Sequence, residues 1–421
     1  MDHDQKRKNV NHTLYEWALN SPILQKAFGT NYKKDINDLL HNFFFDDHEK
    51  IKAKLATELY KKLWGSRCQF GPLPPFELLQ EFENKRVYYK DYRDHTTHSL
   101  FTCLLGLYIY ENNSTIKKAC SEFIAKNFST KKKEEEQEEM FVSLWLLSSL
   151  YHDIGYLVEN NKIETDSNIL DSFTKEINKL LKNPLASTPS FAAEFSRNEE
   201  DSFINKYSIY TRKLNSVNDI TKISVDKKEI DSFTFLQNAS DCSYLTTGNI
   251  NGVKNYYDLA QKSKSTIRDD KFRDHGISSA LLLLYCWYSF RQYIQDICSN
   301  EGSDISCFRR ISSLKEHLNG SFKDIITFAA QAISLHNINK TIWDERDTLN
   351  NDLTLRKFCI VLQKNENAMP LAFLLRLCDE LQVWDRPRFR PLHDEDEYIL
   401  SKDINIIVSN NGIFLQYLKD E

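Results

Sequence analysis

Glycine and proline are scarce in this chain, with 11 glycines and 9 prolines among 421 residues. Both residues interrupt helices, glycine through its backbone entropy and proline through its ring and its missing N–H. Long stretches of the chain also carry apolar residues at helical spacing, which is the main sequence signal for helices. Together these two features predict a mainly α-helical fold.

The charge and cysteine pattern limits the partners that we expect. A formal net charge of −5 gives no general attraction to a polyanion, so duplex nucleic acid is not an expected partner. The nine cysteines are scattered without a CxxC pair and lie mostly in apolar runs, which is typical of reduced core thiols in a cytosolic protein.

No targeting or membrane segment is predicted. The N-terminal sequence MDHDQKRKNV is charged and is not followed by the apolar stretch of a signal peptide. The longest apolar stretches surround residues 144–150 and 281–284, well short of the roughly 20 residues that cross a bilayer. We therefore expect a cytoplasmic protein without a membrane partner, and a homo-oligomeric state is left open.

Helical spacing and breakers divide the chain into four predicted parts. Residues 1–90 form a helical lead-in, residues 91–157 and 271–395 a helical core, residues 158–270 an insertion or lid, and residues 396–421 a terminal hairpin. The predicted helices cover residues 11–27, 48–64, 94–110, 138–152, 275–297, 321–335 and 369–383.

Residues that typically break or cap helices support these boundaries. Gly71 to Pro75 is a breaker that ends the lead-in, Asp94 is a predicted N-cap, and Gly155 is a predicted C-terminal cap. In the insertion, residues 220–225 and 232–236 are predicted short strands. Alternating apolar residues on either side of a Ser-Asn-Asn-Gly turn predict the C-terminal β-hairpin.

Histidine and aspartate residues on apolar helices are the main functional signal. The doublet His152-Asp153 ends an apolar helix, where a charged carboxylate costs several kcal/mol unless it is paired or bound to a metal. Other such residues lie on, or at the end of, predicted core helices: His98, His275, His336 and Asp379. Imidazole and carboxylate groups together suit divalent Mn, Fe, Co or Zn.

Each of these residues also has an ordinary structural interpretation. His98 could be a core histidine bonded to a carbonyl, and Asp379 could pair with Arg376 in the preceding turn. His275 and His336 could be terminal helix residues, the latter favoured by the helix dipole. All of these interpretations would have to hold together, which favours a shared metal-binding role.

The order of these residues resembles a known signature. His98, the His152-Asp153 doublet and Asp379 are similar to the H…HD…D pattern of the HD superfamily of metal-dependent phosphohydrolases. The resemblance covers roughly residues 90–157 and 270–390, and it implies an HD-type helical bundle in which these four residues bind one metal ion.

The resemblance also implies a second metal ion. His275 and His336 match the two later histidines of the variant in which the doublet aspartate bridges two ions. Asp153 would then act as a catalytic residue, because a hydroxide between two metal ions about 3.5–4 Å apart could attack phosphorus in line. Two divalent transition-metal ions are thus the expected cofactors.

Several residues near the ligands are candidates for substrate contacts. His95, one helical turn before His98, could protonate a leaving oxygen or bind phosphate. Its ordinary interpretation is an exposed histidine in the first turn of the helix. Three arginines and one tyrosine could bind substrate phosphate: Arg93, Arg273, Arg376 and Tyr156. Many two-metal relatives have lysine where this chain has Tyr156, so the substrate stays open.

The leading functional prediction is a phosphohydrolase or phosphodiesterase that acts on a nucleotide or a related small phosphorylated metabolite. One alternative is a di-iron oxygenase, because some proteins similar to this family use the same ligand set with O2. Another is a non-catalytic nucleotide sensor built on the same bundle. Fold alone does not choose between them.

Overall fold

The computed structural model describes residues 8–29, 34–67, 79–80, 94–128, 133–156, 222–225, 228–232, 275–300, 321–337, 370–385, 399–410 and 412–418. Over these ranges the chain forms helices and two antiparallel β-hairpins. The predicted mainly α-helical fold with a C-terminal hairpin is therefore confirmed. None of the helices within the described ranges combines the length and the apolar character needed to cross a bilayer.

The helices and strands of the described residues are numbered here in chain order. The helices are α1 (Val10–Asn20), α2 (Pro22–Phe28), α3 (Lys34–Phe45), α4 (Glu49–Arg67), α5 (His95–Asn112), α6 (Ser114–Asn127), α7 (Glu134–Tyr151), α8 (His275–Asn300), α9 (Ser321–His336) and α10 (Pro370–Leu381). The strands are β1 (Lys222–Val225), β2 (Lys228–Asp231), β3 (Ile404–Ser409) and β4 (Gly412–Tyr417).

The chain divides into two compact units. One consists of Met1–Cys68, Phe76–Leu150 and Leu374–Glu421, and the other of Gln69–Pro75 and Tyr151–Phe373. Helices α1 to α6 and strands β3 and β4 belong to the first unit, and strands β1 and β2 with helices α8 and α9 belong to the second. The four parts predicted from the sequence stay predictions.

The predicted single helix over residues 11–27 is wrong, because the chain breaks at Ser21. The hydroxyl of Ser21 accepts a hydrogen bond from the N–H of Leu24 at 3.1 Å and caps α2. Pro22 follows at the first helical position, where its missing N–H costs nothing. The sequence prediction also omitted α3 and α6.

Helices α5 and α7 form the centre of the first unit. Asp94 caps α5 as predicted, because its carboxylate accepts the N–H of Thr97 at 2.9 Å. The indole of Trp145 on α7 donates to the carbonyl of Cys103 at 2.8 Å. The Trp145 ring lies where a Cβ on Gly106 would stand, so the two helices approach closely only because residue 106 is glycine.

The C-terminal hairpin packs against the first helix of the chain. Strands β3 and β4 pair antiparallel, with Ile404 opposite Tyr417. Ile404 and Ile406 are buried, whereas Ile407 on the opposite face is 43% exposed. The hydroxyl of Thr13 donates to the side-chain oxygen of Asn405 at 2.7 Å. Helix α1 and the chain end thus share one interface within the first unit.

In the second unit α8 and α9 pack along each other, and β1 lies against α8. The predicted strand over 220–225 is found as β1. Strand β2 pairs with it and places Ile230 opposite Ile223. Residues 233–236 of the predicted strand over 232–236 lie outside the described residues. The rest of the insertion and the Gly71 to Pro75 breaker lie outside the described residues.

Candidate metal centre

The ends of three helices bring four predicted ligands together in the second unit. His152 and Asp153 follow directly after Tyr151, the last residue of α7. His275 is the first residue of α8, and His336 is the last residue of α9. A residue at a helix end has its backbone held by the helix, yet its side chain is not packed between turns of that same helix.

The imidazole rings of the three histidines surround the carboxylate of Asp153. Oδ1 of Asp153 lies 3.3 Å from Nε2 of His275 and 3.4 Å from Nε2 of His152. The ring of His336 has its centroid 5.3 Å from each of the other two imidazole centroids. Candidate ligand atoms of Asp153, His275 and His336 all lie within 4.8 Å of one another.

The four side chains are almost completely buried, from His152 at 0% to His275 at 8% exposure. A buried carboxylate is unfavourable unless protons or a cation compensate its charge. Metal–nitrogen bonds of about 2.0–2.1 Å place the ligands of one ion roughly 3–4 Å apart. The donor set and its spacing therefore fit, and Asp153, His275 and His336 could hold a divalent metal ion.

A helix carbonyl determines the tautomer of His336. Nδ1 of His336 lies 2.6 Å from the carbonyl oxygen of Ile333. This oxygen is among the last four carbonyls of α9, which have no partner inside the helix, and it can only accept. In the neutral ring Nδ1 therefore carries the hydrogen, and Nε2 carries the lone pair that a metal would bind.

Gly155 is not the C-terminal cap that we predicted. Such a cap requires a positive φ, and in the described part of the chain Gly29 and Gly412 are the glycines with positive φ. Instead, Gly155 lies against the first turn of α8, where an added Cβ would be 2.6 Å from the backbone nitrogen of Ser279. Its own N–H donates to the Ser279 hydroxyl at 2.7 Å.

The close approach at Gly155 has a direct effect on the site. The same added Cβ would overlap the carbonyl oxygen of His275, which is backbone and cannot rotate away. Only glycine therefore lets the turn that carries Asp153 reach the start of α8. This contact places His275 beside the carboxylate.

His98 and Asp379, the other two predicted ligands, lie in the first unit. Nε2 of His98 is 2.8 Å from Oδ1 of Asp379. His98 is 2% exposed. Arg376 pairs with Glu380 at 2.7 Å. Arg376 as a phosphate contact stays a prediction.

Gln382, which the sequence analysis missed, sets the orientation of His98. Its amide nitrogen donates to the carbonyl of Trp384 at 2.8 Å, so its oxygen faces Nδ1 of His98. Nδ1 must then be the donor, because two acceptors would repel. The available signal was a polar residue three positions after Asp379, near the end of an apolar helix.

The tautomer of His98 has an electrostatic consequence. With the hydrogen on Nδ1, a neutral ring would point the Nε2 lone pair at an Asp379 oxygen 2.8 Å away. Two electron-rich atoms are stable at that distance only with a proton or a cation between them. The pair therefore shares a proton, as an imidazolium with a carboxylate or as an imidazole with a carboxylic acid, or it is part of a cation-binding group.

The remaining candidates have different environments. His95 is buried at 7% exposure, so its interpretation as an exposed first-turn histidine is wrong. The ring of Tyr156 stacks on His275, with centroids 4.4 Å apart and planes 17° apart. Arg93 and Arg273 lie outside the described residues.

The buried cysteines are poor candidates for metal binding. Burial raises the pKa of the Cys103 thiol to about 12, even though a hydrogen bond with Ser149 acts in the opposite direction. Burial likewise raises the pKa of Cys286 to about 12. Both thiols stay protonated at neutral pH, whereas metals bind the thiolate. This agrees with the predicted role as core residues.

Comparisons of this chain with protein-family models, with curated proteins and with solved structures found no match. Support for a function comes from two sources: the geometry of the buried cluster and the order of the histidines and aspartates in the sequence.

Proposed function

We propose that this chain is a metal-dependent phosphohydrolase or phosphodiesterase, acting on a nucleotide or a related small phosphorylated metabolite. The observation that carries the proposal is the convergence of imidazole nitrogens on the Asp153 carboxylate. His275 and His336 supply two of them, from the ends of different helices, and all three side chains are buried. Such an arrangement is unfavourable without a cation and favourable with one.

The protein's own residues prepare the site for a metal. His336 offers Nε2 without rearrangement, because Ile333 already holds its Nδ1–H. Burial weakens screening by water and so strengthens the attraction between Asp153 and a cation. When bound, a divalent ion of this class supplies a Lewis acid that neutralises charge on phosphoryl oxygens and acidifies a water molecule.

The sequence resemblance extends the proposal to residues of the first unit. It assigns His98 and Asp379 to the same ligand set. His95, one helical turn before His98, is our candidate for proton transfer onto a leaving oxygen. The tautomer of His98 is compatible with this role, because Gln382 accepts from Nδ1 and Nε2 is the remaining ring nitrogen. Two ions per chain are expected if all six residues are ligands.

Metal content tests the binding step. We expect mass spectrometry to find divalent transition metal in the wild-type chain and about one equivalent less in His275→Ala and His336→Ala. His48→Ala is the matched control, because His48 is exposed and precedes α4. Equal metal content in all four proteins would contradict the proposed ligands.

Hydrolysis tests the catalytic step separately. The metal-loaded protein should cleave a model phosphodiester, bis(p-nitrophenyl) phosphate, or a member of a panel of nucleotides and cyclic nucleotides, with Mn or Co and without O2. His336→Ala should lower kcat/KM by about 100-fold or more, because loss of even an outer partner of a metal ligand costs about 10–100-fold. A metal-loaded protein that cleaves nothing would exclude the hydrolase while leaving the metal site intact. Turnover that requires O2 would support the oxygenase.

A further inference from the structure

The environment of His275 points to two further residues that the metal-binding role would need. We propose that Asn337 and Tyr156 are positioning residues that hold the imidazole of His275 and thereby set the metal affinity of the group formed by Asp153, His275 and His336. This inference rests on the proposed metal site and adds to it two side chains that would not touch the ion.

Asn337 controls the outer nitrogen of His275. It directly follows His336, the last residue of α9, so the same helix end positions a ligand and its neighbour. Nδ2 of Asn337 lies 3.0 Å from Nδ1 of His275. Histidines that bind a metal through Nε2 donate Nδ1–H to an oxygen, which fixes the tautomer and the ring orientation.

The amide of Asn337 can serve both forms of the ring. As the structure stands, the amide nitrogen donates to Nδ1 of His275. A half-turn of the amide places its oxygen in the same position, where it accepts Nδ1–H and leaves the lone pair on Nε2. Nε2 lies 3.3 Å from Oδ1 of Asp153, so the lone pair would point into the ligand group.

Tyr156 acts on the tilt of the His275 imidazole. Its ring lies nearly parallel to that of His275, 4.4 Å between centroids, and so limits tilting of the imidazole. Tyr156 belongs to the turn that carries the ligand Asp153, because its N–H donates to the Asp153 carbonyl at 3.2 Å. The turn therefore supplies one ligand and also supports another.

The two side chains act on one ring from different directions, so their contributions can be separated. Asn337 holds the ring edge through a hydrogen bond, and Tyr156 covers a ring face through stacking. Asn337→Asp keeps an oxygen acceptor, and Tyr156→Phe keeps the aromatic ring. Asn337→Ala and Tyr156→Leu remove the acceptor and the ring respectively.

Cobalt binding to the full chain tests the proposal without an activity assay. Co(II) would be titrated into metal-stripped wild type and the four variants, followed by calorimetry and by the visible absorption of the bound ion. We expect Asn337→Ala and Tyr156→Leu each to weaken binding by about 10–100-fold, the range found for outer partners of ligating histidines. Asn337→Asp and Tyr156→Phe should stay close to wild type.

The outcomes distinguish this inference from the metal site itself. If wild type binds Co(II) and the Ala and Leu variants bind it equally well, the positioning role is wrong and the metal site remains. If Asp and Phe fail as badly as Ala and Leu, the effect is general packing and the proposal is overturned. If wild type itself fails to bind Co(II), the metal site and the inference fall together. Thermal unfolding of the metal-free variants checks that each is folded.

Discussion

Gln382 shows how one side chain can determine the chemistry of another. Its amide cannot be turned around, because the Trp384 carbonyl accepts from its nitrogen. The amide oxygen therefore faces His98, and the ring must present a hydrogen on Nδ1. The protonation pattern of His98 thus depends on a residue outside the predicted ligand set.

Removing this amide should destabilise the first unit. Gln382→Met keeps the length of the side chain but leaves Nδ1–H of His98 and the carbonyl of Trp384 without their partner, each a loss of about 1–3 kcal/mol when buried. We expect a clear fall in the urea midpoint. Gln416→Met is the control, because Gln416 is exposed on β4. Equal midpoints for the two variants would show that the hydrogen bonds contribute little.

At the scale of elements, Glu138 joins three helices of the first unit. From α7 its carboxylate reaches Lys26 of α2 at 2.5 Å and Lys117 of α6 at 2.9 Å. Burial alone would raise the pKa of Glu138, but the bonds to the two lysines outweigh it and lower the pKa below 4.5. The pair with Lys26 links helices that are far apart in the sequence, and the pair with Lys117 links two consecutive helices.

This lowered pKa predicts a pH-dependent contribution to stability. Because folding lowers the pKa, the contribution is present above the ordinary value of 4.5 and is lost as the pH falls through the folded-state pKa. Glu138→Gln should therefore lower the free energy of unfolding by about 1 kcal/mol at pH 7, and by less near pH 3.5. Urea denaturation at both pH values measures it.

Glu139→Gln is the matched control for this prediction. Glu139 is the next residue on α7 and is exposed to solvent. We expect its substitution to change the urea midpoint little at either pH. A loss in Glu138→Gln that does not shrink at the lower pH would mean that packing of the side chain, and not its charge, supplies the stability.

For the whole molecule, metal binding and folding should be linked. Asp153, His275 and His336 come from the ends of three different helices, so their cluster exists only in the folded state. A ligand that binds only the folded state stabilises it by RT ln(1 + [L]/Kd), about 2.7 kcal/mol at 100 times Kd. We expect Mn(II) or Co(II) to raise the unfolding midpoint of the metal-stripped chain accordingly.

His336→Ala and His48→Ala provide the comparison for metal-linked stability. The first variant should lose most of the metal-induced shift, and the second should retain it. Chelation with EDTA should return wild type to the metal-free midpoint. A wild-type midpoint that does not respond to either metal, measured by chemical denaturation, would count against a buried cation site.

Local patterns in the sequence were sufficient to predict most of the helices and the terminal hairpin. Helical spacing predicted α5, α7, α8, α9 and α10 to within a few residues, and alternation predicted the terminal hairpin. Errors arose where local signals compete or are weak. Ser21 and Pro22 divided one predicted helix, because capping acts there in addition to periodicity. Helices α3 and α6 were omitted.

The candidate site was predicted in its residue types, but its geometry was not. The sequence alone singled out histidines and aspartates on apolar helices, because charge and imidazole are costly there. It could not assign their neighbours, since the partner of His98 is 284 positions away and that of His275 is 62 positions away. The prediction that Gly155 caps a helix was wrong for the same reason, because the helix that Gly155 contacts begins at His275, far away in the sequence.

The helical class of this protein, most of its helices and the set of residues that could hold a metal follow from the sequence alone, because each of these depends on spacing and burial along a single element. The orientation of His336 is also local, since its partner Ile333 lies three positions earlier on the same helix. The orientation of His98 is not, because its partner Gln382 is 284 positions away. That hydrogen bond forms only after the helices have packed, so no local pattern encodes it.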